Sequence, residues 1–99
     1  MAKYAWTWTM KEECLEEYVR LHKNPWPDVV EAHSKAGIKN YSIFQNGKQF
    51  FYCFETDDIE ATTEYLLKDE ANNRWSDVCL PMIDGEPVKD FLEEVWYIK

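Results

Sequence analysis

Asn46-Gly47 stands between two aromatic, β-rich runs, Tyr41–Gln45 and Lys48–Glu55. Asn-Gly is the favoured pair for a two-residue type I′ turn, whose twist matches that of two antiparallel strands, so this stretch is constrained to a β-hairpin. A lone hairpin is marginal in water, and the flanking chain must supply elements that pair with it or cover it.

Upstream, Lys3–Thr9 alternates, with Tyr4, Trp6 and Trp8 on one side and Ala5 and Thr7 on the other, the period of a strand. Thr9 stands three residues before Glu12, the spacing of a capping box. Cys14, Leu15, Tyr18, Val19 and His22 then share one stripe of a helix that runs to about Lys23. Pro25 lacks an N–H and disfavours a helical Asn24, which turns the chain at Pro25-Trp26-Pro27. Asp28 can cap a second helical piece through Val29, Val30, Ala32 and His33, stopped by Gly37.

Downstream of the hairpin, Asp57 with Glu60 predicts a helix through Ile59, Thr63, Leu66 and Leu67 to about Lys68. Asp69–Leu80 predicts another, with Trp75, Val78 and Cys79 inward and Pro81 at its end. Asp84-Gly85 and Pro87 mark a loop. Phe91–Ile98 alternates once more, Phe91, Val95 and Tyr97 against Leu92, Trp96 and Ile98, and reads as the last strand.

The order is therefore β-α-β-β-α-β with an additional short helix in each crossover, an α+β chain with the split βαβ pattern of a ferredoxin-like fold. Its 99 residues, 45% hydrophobic and 16% aromatic, suffice for one domain spanning 1–99. Helices can cover only one face of the four-stranded antiparallel sheet. The strands carry large apolar residues on both faces, so a homodimer stacking two sheets is expected to cover the other.

A net charge of −8 argues against nucleic acid and anionic membrane, both of which call for a basic patch. A small neutral ligand or another protein suits the charge better. No stretch resembles a signal peptide or approaches the roughly 18 apolar residues of a membrane span, and a cytoplasmic location is expected. Cys14, Cys53 and Cys79 are odd in number and in no metal or redox spacing, as buried thiols in a reducing compartment would be.

Tyr18 and His22, four residues apart, share a helical face, and Trp26 follows where the helix ends; together they look like the edge of a pocket. Histidine gives and takes a proton near neutrality, so His22 is either a proton carrier or a structural residue bonded to a carbonyl. Tyr18 is either a ligand contact or core with a satisfied hydroxyl. Tyr41 opens the second strand where its hydroxyl could meet the His22 region, or it fills the sheet. Trp26 and Trp75 offer flat apolar faces of the kind that stack on a sugar, or simply pack. Arg20 and Arg74 can bind hydroxyls or a carboxylate, although ion pairs with the many acidic residues are the commoner use. Glu93-Glu94 must send one carboxylate to each face of its strand, so one is expected inward. No Gly-rich phosphate loop, nucleophile elbow, Cys-x-x-Cys or His-Glu-x-x-His is present, and His22 and His33 lie eleven residues apart. Cofactor-free, metal-free chemistry on a neutral small molecule, or simple binding, is what remains.

Glu17-Tyr18-x-Arg20-x-His22, Trp26-Pro27-Asp28, Gly37-Ile38-x-Asn40-Tyr41-Ser42-Ile43 and Glu94-Val95-Trp96-Tyr97, in this order and spacing, resemble the L-rhamnose mutarotase family over nearly the whole chain. The resemblance implies a homodimeric α/β barrel of ferredoxin-like subunits, without metal or cofactor. Its activity would be isomerase chemistry in carbohydrate metabolism, the interconversion of the α and β anomers of L-rhamnopyranose. It implies His22 as the proton donor and Tyr18 and Tyr41 as sugar contacts; on that reading His22 gives its proton to the ring oxygen, Trp26 and Trp75 hold the apolar face, and Arg20 is a further candidate contact. The family's consecutive tryptophan pair after an arginine is matched only in part, because Arg74-Trp75 is followed by Ser76, which puts a hydroxyl where a stacking surface would be. The second proton carrier stays open between Tyr18, Tyr41, an inward glutamate and a water. The same dimeric fold also hosts ligand-binding domains and cofactor-free monooxygenases, which remain the alternatives.

Overall fold

The computed structural model describes residues 1–99. Its ladder holds β1 (Ala2–Thr9), β2 (Lys39–Asn46) and β3 (Gln49–Thr56), and its helices are α1 (Leu15–Lys23), α2 (Pro27–Lys35), α3 (Ile59–Lys68) and α4 (Glu70–Cys79). Short 3₁₀ turns at Glu12–Cys14 and Leu80–Met82 lead into α1 and out of α4. No helix is long and apolar enough to cross a membrane.

The sheet runs in the order β1-β3-β2, with β3 antiparallel to both neighbours, so the crossover from β1 to β2 spans one intervening strand as the ferredoxin-like pattern requires. Trp8, Trp6 and Tyr4 lie opposite Phe50, Tyr52 and Phe54. The three β3 partners are buried under the helices, and Trp6 stacks on Tyr52 with ring centroids 5.0 Å apart. Around this aromatic layer Met10, Tyr18, Leu21, Cys79 and Ile83 complete the main core cluster. The opposite face is less apolar than expected. β1 places Ala5, Thr7 and Thr9 there, and the large groups are Phe51 and Phe44, 38% and 66% exposed.

The expected hairpin forms one residue later than the Asn-Gly rule places it. Asn46 pairs with Gln49, which leaves Gly47-Lys48 as the loop. Only Gly47 has positive φ, +61°, which fits a type II′ turn and excludes type I′. The capping expectations shift likewise. Thr9 stays in β1 and caps nothing, because the chain first makes the 3₁₀ turn. Trp26, not Asp28, precedes α2, with Pro27 in the first turn where its missing N–H costs nothing. Asp58, not Asp57, caps α3 by accepting from Ala61 N–H at 3.1 Å. Asp69 caps α4 from Asn72 N–H at 2.9 Å. Of the cysteines, Cys79 is buried and Cys14 and Cys53 are half-buried.

The fourth strand is the main correction. Phe91–Ile98 lies beside β1 but forms no strand, joining it through one backbone bond, Leu92 N–H to Ala5 C=O at 2.7 Å. Trp8 Nε1–H donating to Val88 C=O at 2.9 Å and Phe91 packed 5.2 Å from Tyr4 hold the same arm. An edge strand with apolar side chains on both faces gains little by pairing while one face meets water. Glu93 and Glu94 are both exposed, so neither carboxylate turns inward.

Candidate functional site

Helices α1 and α2 stand over β2 and leave a cavity of about 610 Å³, within the range of roughly 300–1,000 Å³ usual for small-molecule sites. Tyr18 and His22 reach it from α1, His33 from α2, Tyr41 from β2 and Trp75 from α4. The i, i+4 spacing brings the Tyr18 and His22 rings within 4.2 Å of each other. Trp75 meets His22 edge-on at 5.1 Å and Trp26 at 5.0 Å, so the tryptophan pair buttresses the imidazole. α4 is tied to α2 by Arg74 donating to the Asp28 carboxylate at 2.6 Å, the ion-pair use expected of this arginine.

Tyr41 owes its position to a feature with no clear sequence signature. Between the pairs Lys39↔Glu55 and Ser42↔Cys53, β2 carries one residue more than β3. Asn40 takes up the irregularity with φ +52°, a left-handed conformation that asparagine tolerates better than most residues. Its side-chain amide donates to the Glu55 carboxylate. Tyr41 is thereby set 5.5 Å from Phe54 and 5.8 Å from His33.

The protonation of the wall follows from its hydrogen bonds. Nδ1 of His22 lies 2.8 Å from the Tyr18 carbonyl oxygen, and a carbonyl only accepts, so Nδ1 carries the hydrogen. Nε2 of the neutral ring is then a lone-pair acceptor. Burial pushes the His22 pKa down, the Tyr18 carbonyl opposes that shift, and a charge on His33 lowers it further. Buried Tyr18 shares a 2.6 Å hydroxyl contact with Tyr52. Burial raises the pKa of both phenols, and that of Tyr41, whose ring is partly open while its hydroxyl end is crowded. Cys79 behind them is pushed up to about 12 by burial. None of these phenols or thiols ionises readily at neutral pH.

Of the residues singled out in the sequence, Tyr18, His22, Tyr41 and Trp75 line one cavity, and Trp26 supports it through Trp75. Ser76 is half-buried on α4 outside the wall. Arg20 is exposed and bonded to Glu17, also away from the wall. His33, Lys23, Lys39 and Asn40 are wall residues that spacing alone did not reveal, because the Pro25–Pro27 bend and the β2 irregularity decide where they point. No carboxylate lines the cavity, and nowhere do three metal-ligating side chains converge.

The family model described as L-rhamnose mutarotase matches residues 3–98. The L-rhamnose mutarotase of Pectobacterium carotovorum is 29% identical over 103 residues, covering 99% of both chains. That of Lactiplantibacillus plantarum is 31% identical over 96 residues, covering 90% of each. The crystal structure of an L-rhamnose mutarotase from Formosa agariphila superposes with a TM-score of 0.80 over the full length of both chains at 21% identity, a likeness of fold.

Proposed function

The chain belongs to the L-rhamnose mutarotase family, and from that membership we propose that it interconverts the α and β anomers of L-rhamnose or a related deoxysugar in the cavity between α1, α2 and β2, with His22 carrying a proton. The observation that carries the assignment is the His22 imidazole itself. It stands in the cavity wall with Nδ1–H fixed on a carbonyl and Nε2 left for a ligand.

Mutarotation opens a hemiacetal and closes it on the other face. One group takes the proton of the anomeric hydroxyl while another protonates the ring oxygen; C1–O5 breaks and C1=O1 forms. The aldehyde rotates, the proton transfers reverse, and both groups return to their starting states. A neutral Nε2 enters this cycle as the base. His22 therefore takes the anomeric proton first and returns it on closure, the reverse of the order in which a donor to the ring oxygen would act. Each positioned acid or base contributes about 10²- to 10⁴-fold. Tyr18 and Tyr41 can hydrogen-bond the sugar hydroxyls, and Trp75 with Trp26 behind it offers an apolar surface to the methyl-bearing face.

The partner set that goes with this reading is a small neutral monosaccharide and a second copy of the chain, in the cytoplasm. Support for the dimer comes from the C-terminal arm, where Val95, Trp96 and Ile98 are 89%, 77% and 73% exposed.

Saturation-transfer NMR on equilibrated L-rhamnose, with L-fucose, L-lyxose and glucose as comparators, tests the activity. The chain is expected to accelerate exchange between anomeric protons, and His22→Ala to lower the rate at least tenfold with an unchanged circular dichroism spectrum, given the usual magnitude of acid–base catalysis. No acceleration for any of the sugars contradicts the mutarotase reading. An unchanged rate in His22→Ala moves the proton carrier elsewhere.

A further inference from the structure

Ring opening needs an acid as well as a base, and the cavity wall narrows the choice. No carboxylate lines it. The Tyr18 hydroxyl is engaged with Tyr52, and the phenols of Tyr18 and Tyr41 are both held from ionising by burial. Lys23 and Lys39 also stand on the wall, but imidazole is the side chain whose ordinary range lets it give a proton and take it back near neutrality. The wall holds a second one. His33 lines the same cavity from α2, half-buried, and its ring lies 5.8 Å from that of Tyr41.

The two histidines are anchored in the same way. Nδ1 of His33 lies 2.8 Å from the carbonyl oxygen of Val29, four residues earlier, as Nδ1 of His22 lies 2.8 Å from that of Tyr18. Each Nδ1 must carry hydrogen, so each ring is left with Nε2 as its exchangeable position, neutral as a base or protonated as an acid. Two helices thus present two imidazoles of fixed tautomer to one pocket.

We propose that His33 is the second proton carrier of the mutarotase reaction, its protonated Nε2 giving a proton to the ring oxygen while the neutral Nε2 of His22 takes the proton of the anomeric hydroxyl. After the aldehyde rotates, neutral His33 takes the proton back from the O5 hydroxyl as that oxygen attacks C1, and His22 returns its own to O1. No proton is gained or lost over the cycle. The competent state is the singly protonated pair. A proton on His33 opposes one on His22, which favours that state over the doubly charged one. The assignment rests on the mutarotase reading and names the acid that reading leaves open.

The other titratable or charged groups facing the pair are Tyr18 and Lys23 from α1 and Lys39 and Tyr41 from β2, with Cys79 of α4 behind the phenols. A requirement for one charged and one neutral imidazole gives a rate that falls on both sides of an optimum. The test is anomeric exchange of L-rhamnose by the full chain, His33→Leu and His33→Gln, from about pH 5 to 9, the range over which histidine changes charge. Both variants are expected to lose at least about tenfold in kcat, to change KM by less than about threefold, and to lose one limb of the bell-shaped profile. Gln keeps a donor for the Val29 carbonyl, and circular dichroism of each variant separates loss of fold from loss of the proton carrier. If His33→Leu does not fold, His33→Gln decides alone. Wild-type kcat with both limbs intact in a folded variant overturns the proposal, and so does a rise in KM alone, which would make His33 a binding contact. A wild-type chain that accelerates nothing overturns the mutarotase reading and the pair with it, whereas a fast wild type with equally fast variants overturns only the role of His33.

Discussion

Tyr18 and Tyr52 meet through hydroxyls 2.6 Å apart in a region where both residues are 2% exposed. Each oxygen has left water and found the other, so the pair has little net effect while intact and becomes costly when broken. Tyr18→Phe or Tyr52→Phe leaves one buried hydroxyl without its partner and is expected to destabilise by about 1–3 kcal/mol. The double replacement removes both polar groups and is expected to cost less than the two single replacements added together. Urea unfolding of the four proteins measures the coupling, and strict additivity would show that the contact is energetically empty. That Tyr18 belongs on the His22 face was legible from the i, i+4 spacing alone. Its partner Tyr52 was not, because that requires the register of β1 on β3 and the packing of α1 on the sheet, neither of which is local in sequence.

The elements show the same division between local and non-local information. α3 and α4 begin where an Asp side chain closes on the N–H three residues ahead; both helices were legible as apolar periodicity, and for α3 an acidic cap was legible as well. For α3 the spacing to Glu60 pointed to Asp57, whereas the cap is its neighbour Asp58. Packing settles it: buried Thr62 of α3 donates to the Ala36 carbonyl and shares its hydroxyl with Thr56, which fixes the helix start at Ile59. Asp58→Ala is therefore expected to lose about 1 kcal/mol in chemical denaturation, the usual value of such a cap. Asp57→Ala is expected to stay within about 0.5 kcal/mol, as for an ordinary surface substitution. Equal losses, or the reverse order, would contradict the observed start of α3. The irregularity at Asn40 lies beyond this kind of reading. Asn-Tyr is an unremarkable dipeptide, and only the pairing of β2 with β3 shows that it redirects Tyr41 to the helical side of the sheet.

At the scale of the whole molecule the exposed surface is the informative quantity. The chain exposes 7176 Å², whereas a compact monomer of its mass is expected to expose roughly 6,000 Å². The excess exceeds the roughly 800 Å² per partner of a standard interface. Much of it lies where the fourth strand was expected: the alternation of Phe91–Ile98 was legible, but its pairing was not, since an edge strand apolar on both faces waits for a cover that one chain does not supply. In the proposed dimer a second copy would supply that cover, with exposed Trp96 and Ile98 of the arm and Phe44 of the open face as its apolar contacts. Light scattering on the full chain at low micromolar concentration is therefore expected to give a dimer. Trp96→Glu combined with Ile98→Glu, which places two carboxylates in the buried contact, is expected to shift it to monomer while the far-ultraviolet spectrum is kept. A stable wild-type monomer at that concentration contradicts the dimer, and a charged double variant that remains dimeric moves the interface away from the arm.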